Sequence, residues 1–95
     1  SGKNNSIEDI SFEERKNINK NISRLEKAVG TAEEAITRLE GVIAVMDSQL
    51  ARPETIASED FFSEYEQVKK ELSSTMEEWE QLHEELELWT SKKTW

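Results

Sequence analysis

Between Ile18 and Leu50 a regular line of apolar residues runs through Ile18, Ile22, Leu25, Val29, Ala32, Ile36, Leu39, Ile43, Met46 and Leu50. The steps between them alternate four and three without a slip, a mean repeat of about 3.5 residues that marks a coiled-coil seam. An ordinary globular helix shows a broader stripe. With Ile22 labelled a, the a positions read Ile, Val, Ile, Ile, Leu and the d positions Ile, Leu, Ala, Leu, Met. A second run keeps the same rhythm: Phe61, Tyr65, Val68, Leu72, Thr75, Trp79, Leu82, Leu86 and Trp89. Between the runs stands Pro53, the chain's one proline, which disfavours helix at Arg52 and lacks a backbone donor.

Folding the chain back near Pro53 matches the runs pair by pair. Leu50 meets Phe61, Met46 meets Tyr65, Ile43 meets Val68, Leu39 meets Leu72 and Ile36 meets Thr75. Ala32 then meets Trp79, Val29 meets Leu82, Leu25 meets Leu86 and Ile22 meets Trp89. Every a layer faces a d layer, as an antiparallel pair requires. The smallest seam residue, Ala32, falls opposite the large Trp79, which keeps that layer at native density. Beside the seam, Glu26 flanks His83 and Glu40 flanks Lys69, while the stems of Glu85, Glu78 and Glu71 cover Ala28, Ala35 and Val42. Ile or Val at a with Leu at d also suits a parallel dimer, but a dimer leaves the second seam without a partner. The predicted fold is all-α, a monomeric two-helix antiparallel coiled-coil hairpin with a short helical turn at its tip or base.

The boundaries follow from local chemistry. Residues 1–10 are polar and aperiodic, so they read as a flexible linker, with Ser1-Gly2 as a cloning scar. Ser11-Phe12-Glu13-Glu14 has the letters of a capping box. The hairpin is expected over residues 11–91: helix 1 about 12–51, a tip at 52–58, helix 2 about 59–90 capped by Ser58, then a tail at 92–95. Gly30 and Gly41 fall off the seam, at b and f, so they soften helix 1 without opening its packing.

Charge divides the molecule. Residues 11–52 carry seven acidic and seven basic groups, whereas residues 53–90 carry twelve acidic groups against Lys69 and Lys70, a local charge of −10 within a total of −9. A surface this acidic repels phosphate backbones. The cations gather instead at Arg15, Lys16, Lys20, Arg24 and Lys27, the candidate nucleic-acid-binding residues. Their alternative role is an intramolecular salt-bridge patch with Glu84, Glu85 and Glu87.

Little else carries chemistry. With no cysteine there is no disulfide framework and no thiolate metal site. His83-Glu84-Glu85 begins like a zinc HExxH motif, but Glu87 takes the last position and the chain has one histidine. The run Glu77, Glu78, Glu80, Glu84, Glu85, Glu87 is straight helix rather than the turning loop a calcium site needs. No phosphate-binding loop or nucleophile elbow occurs. Trp79 and Trp89 read as core rather than as base-stacking platforms, and Trp95 lies off the pairing on an exposed tail. The expectation is a non-enzyme without a bound cofactor. Without an apolar run of membrane-spanning length or a signal-peptide pattern, no membrane partner and a cytoplasmic location are expected.

Three short segments add a family likeness. Ile10-Ser11-Phe12-Glu13-Glu14-Arg15-Lys16 resembles the "LSYKEKRE" opening of the C-terminal coiled-coil domain in Uup-type ABC-F ATPases. Leu50-Ala51-Arg52-Pro53-Glu54 is similar to the "LADPE" at that domain's tip, and Glu78-Trp79-Glu80-Gln81-Leu82 to its "RWEEL". The likeness covers roughly residues 10 to 88, and its specificity lies in the order and spacing of the three. Such proteins pair two ATP-binding cassettes without membrane segments, and many act on the ribosome in translation. The resemblance implies an accessory arm that contacts nucleic acid or ribosome, with ATP and magnesium belonging to cassettes absent from this fragment. In the Uup branch this domain is associated with DNA, which the acidic second helix here opposes. The rival expectation is a structural coiled-coil adaptor that binds protein alone.

Overall fold

The computed structural model describes residues 11–95, so the lead-in and the expected cloning scar lie outside the described residues. Helix α1 (Phe12–Ala51, 40 residues) and helix α2 (Phe61–Thr90, 30 residues) pack against each other, joined by a 3₁₀ turn at Pro53–Thr55. The result is an all-α hairpin, a rod of 79 × 17 × 14 Å. Among the described residues, no helix is long and apolar enough to cross a membrane.

A reciprocal capping box starts α1. The Glu14 amide donates to Ser11 Oγ at 3.1 Å, and the Ser11 amide donates to Glu14 Oε1 at 3.1 Å. Glu13 and Glu14 also place negative charge at the positive end of the helix dipole. The helix ends where Pro53 forces Arg52 out of helical geometry, to φ −133° and ψ 78°. The freed Arg52 carbonyl accepts from both the Thr55 amide (2.8 Å) and the Thr55 hydroxyl (2.7 Å), which closes the 3₁₀ turn.

Helix α2 begins two residues later than expected, and Ser58 is not its cap. The Ser58 hydroxyl accepts the Asp60 amide at 3.0 Å, and its carbonyl accepts the Phe61 amide at 3.3 Å. These bonds form a turn ahead of the helix, and the cap residue is Asp60, without a side-chain bond of its own. Phe61 is then the first residue able to reach the seam. It is buried there, stacked on Tyr65 and meeting Phe62 edge-on.

The buried residues all fall on the two seams. Ile18, Leu25, Val29, Ala32 and Leu39 are buried on α1, and Ile22, Ile36, Ile43, Met46 and Leu50 are partly covered. On α2 Phe61 is buried, while Tyr65, Val68, Leu72, Thr75, Trp79, Leu82, Leu86 and Trp89 are partly covered. Three polar links fix the register. The Tyr65 hydroxyl donates to Asp47 Oδ1 at 2.5 Å, Trp79 Nε1–H donates to Glu33 Oε2 at 3.0 Å, and Arg24 lies 3.8 Å from Glu85. Asp47 neighbours Met46, the predicted partner of Tyr65. Glu33 neighbours Ala32, the predicted partner of Trp79. Arg24 and Glu85 flank the predicted layer of Leu25 and Leu86. The alignment derived from spacing is the alignment of the hairpin.

The expected flanking pairs of His83 with Glu26 and Lys69 with Glu40 take different partners. His83 turns to Glu87 of its own helix at 3.9 Å and lies against the Trp79 ring, with 5.1 Å between ring centroids. Lys69 lies over the Tyr65 ring at 5.0 Å rather than reaching to Glu40. An aromatic face one turn away on the same helix is a shorter reach than a carboxylate across the seam, and exposed ion pairs are worth at most about 1 kcal/mol.

Candidate nucleic-acid interface

The hairpin's topology brings the start of α1 and the end of α2 together at the open end. The five candidate cations spread along the first turns of α1, and they do not share one role. Arg24 pairs with Glu85, with about half of each side chain still exposed (57% and 49%). It also donates to Asn21 Oδ1 at 3.2 Å. For Arg24 the salt-bridge role therefore applies. Lys27 and Arg24 rim an open groove whose floor is Ala28, Ala32 and Ala35 and whose far wall is Glu78 and Leu82. Lys16 and Lys20 are exposed near the end of the rod.

Arg15 behaves differently. The α1 seam, continued one step before Ile18, places Arg15 at an a position, opposite the residues that follow Trp89. Helix α2 stops at Thr90, and the chain tightens: the Lys92 amide donates to the Trp89 carbonyl at 3.1 Å and the Lys93 amide to the Thr90 carbonyl at 3.0 Å. The tail after this turn lays Trp95 beneath the Arg15 guanidinium, 5.3 Å from the ring centroid. Lys93 Nζ lies 5.7 Å from the same ring, and Lys92 Nζ 5.3 Å from the Trp89 ring. Trp95 is exposed, at 45%, as its place off the pairing predicts, yet its ring lies against Arg15 and Lys93.

These contacts enlarge the cluster that the sequence indicates. Lys92 and Lys93 join Arg15, Lys16 and Lys20, so the end of the rod holds five cations, with Glu13 and Glu14 as the carboxylates of the first turn and Glu14 committed to the capping box. The two lysines also follow the negative end of α2, where cations are favoured. Phe12 is 76% exposed and forms, with Arg15, Lys16, Asn19 and Trp95, an open slot of about 330 Å³. Only half of this grouping, the α1 cations, stands out in the letters. The same back-folding that pairs Ile22 with Trp89 carries residues 92–95 toward the first turns of α1. A cationic surface interleaved with aromatic rings can hold phosphates by charge and bases by stacking.

Of the three segments that carry the family likeness, Ser11 to Lys16 forms the cap and first turn of α1, Leu50 to Glu54 the tip, and Glu78 to Leu82 the middle of α2. Comparison with protein-family models, with curated proteins and with solved structures returned no match.

Proposed function

We propose that this hairpin is the accessory C-terminal arm of an ABC-F-type ATPase, a stiff rod whose open end contacts nucleic acid or the ribosome. Catalysis and ATP belong, in this reading, to cassettes outside the present chain. One observation carries the contact: cations collect at the end of a rod whose second helix is otherwise strongly acidic. Charge of one sign confined to one end orients an encounter with a polyanion, because the remainder of the surface repels it. The order and spacing of the three family-like segments support the parentage.

Affinity for duplex DNA and ribosomal RNA across a salt series tests the contact. Phosphate binding gives a log affinity that falls steeply with log salt, and replacing Arg15, Lys16 and Lys20 by Gln flattens the line. The parentage is tested by the residues that precede this segment in its full-length protein, where two GxxxxGK[ST] loops are expected. A protein-binding adaptor is the second reading, favoured by the exposed Val45 and Phe62 (61% each) and Met76 (45%) along the rod. No nucleic-acid binding at low salt selects it.

A further inference from the structure

The open end differs from a plain basic patch in having aromatic rings among its cations. Trp95 is held in place by Arg15 and Lys93, Trp89 lies under Lys92, and Phe12 stands 76% exposed at the mouth of the slot beside Trp95. We propose that this end prefers single-stranded nucleic acid over duplex. An unpaired base stacks in the slot between Phe12 and Trp95, while Arg15, Lys16, Lys92 and Lys93 hold the neighbouring phosphates. The inference rests on the proposed nucleic-acid contact and specifies which form of nucleic acid is taken.

Two arguments lead to the single strand. The first is the ring face. The Arg15 guanidinium, 5.3 Å over the Trp95 ring, lies on the face a nucleobase would take, and both are planar groups attracted to the indole surface. A base entering the slot displaces the guanidinium and frees it to pair with a phosphate, so Arg15 keeps a strong partner in both states. Bases within a duplex are stacked on one another and cannot enter.

The second argument is the size of the basic surface. A duplex is stiff and presents phosphates along its length, so it requires cations spread along the protein. Here the cations end within a few turns, and Glu84, Glu85 and Glu87 lie just beyond them on α2. A rigid duplex long enough to gain affinity meets those carboxylates. A flexible strand can bend across the end of the rod and leave.

The test compares short fluorescent oligouridine, oligothymidine and a mixed-sequence duplex by anisotropy, using the whole chain. The single strands should bind more tightly than the duplex. Trp95→Ala should weaken single-strand binding about fivefold or more while leaving duplex binding unchanged, and Trp95→Phe should retain most of the affinity. Replacing Lys92 and Lys93 together by Gln should lower the salt slope for the single strand by about 1.4. Equal binding of strand and duplex, or a Trp95→Ala variant that binds oligouridine normally, overturns the inference and leaves the nucleic-acid reading standing. Displacement by poly-glutamate as effective as by oligouridine also overturns it, because charge alone is then recognised. Failure to bind any of the three removes both proposals.

Discussion

The two seams face each other residue by residue, yet they are covered unequally. Among the described residues, the α1 seam holds five of the six that are buried in the core, and α2 contributes one, Phe61. Side-chain size accounts for the aromatic layers, while Val68, Leu72, Leu82 and Leu86 are partly covered as well and Phe61 alone is buried on α2. Across most of the contact α1 offers Ile, Val, Ala and Leu, while α2 offers Tyr65, Trp79 and Trp89 among its layers. In a rod of two helices each residue has a single neighbouring helix, so a large ring covers its smaller partner and leaves its own rim in water. Those rims carry the polar atoms. The Tyr65 hydroxyl and the Trp79 N–H reach Asp47 and Glu33 on α1 and bond there. One ridge therefore supplies the buried apolar area, and the other supplies the cover and the cross-links that define register.

The largest expected effect tests the buried ridge. Leu25 is fully buried, with 0% exposure, and Leu25→Ala should cost about 2–5 kcal/mol in urea unfolding. Leu82→Ala on the partly covered ridge should cost less, and equal losses would erase the contrast between the seams. Next comes the small-against-large layer. Ala32→Leu should clash with the covering Trp79 and lower stability by about 1–3 kcal/mol. An unchanged melting temperature would mean that Trp79 does not cover Ala32.

A smaller effect, of opposite sign, belongs to the outer face of α1. A methyl group added at Gly41 meets nothing within 4 Å, so Gly41→Ala should stabilise the hairpin by about 1 kcal/mol. Destabilisation there would show that the back of α1 is also covered. The smallest effect concerns a cross-link. Donation to Asp47, with the negative charge of Asp47 close by, raises the Tyr65 pKa above its ordinary value of 10.0. The folded state therefore favours the protonated phenol. Its contribution is fully present below about pH 10 and is lost as pH rises through the raised folded value. Tyr65 is the chain's single tyrosine, so tyrosinate absorbance reports it alone. Its midpoint should lie above that of the urea-unfolded chain, and Asp47→Ala should narrow the gap, with burial and Glu66 keeping part of it.

How much of this was legible beforehand depended on how far each feature lies from the repeat. The helices, their register and the capping box at Ser11 follow from spacing and from groups within one turn of each other. The start of α2 did not, because Ser58 to Phe61 form a separate turn before the helix opens at Phe61. The partners of His83 and Lys69 were also missed, since long side chains on a wet surface choose among nearby groups of similar energy. The candidate interface was half visible: the α1 cations stood out in the letters, whereas Trp95, Lys92 and Lys93 joined them only through the path of the tail.

The sequence by itself determined a back-folded pair of helices, because a strict alternation of three and four leaves one narrow stripe to bury and two matched stripes can bury each other. Only the tertiary structure decided what gathers at the ends. There the repeat stops and no seam dictates the partner, so short-range contacts such as that between Arg15 and Trp95 settle where the side chains lie.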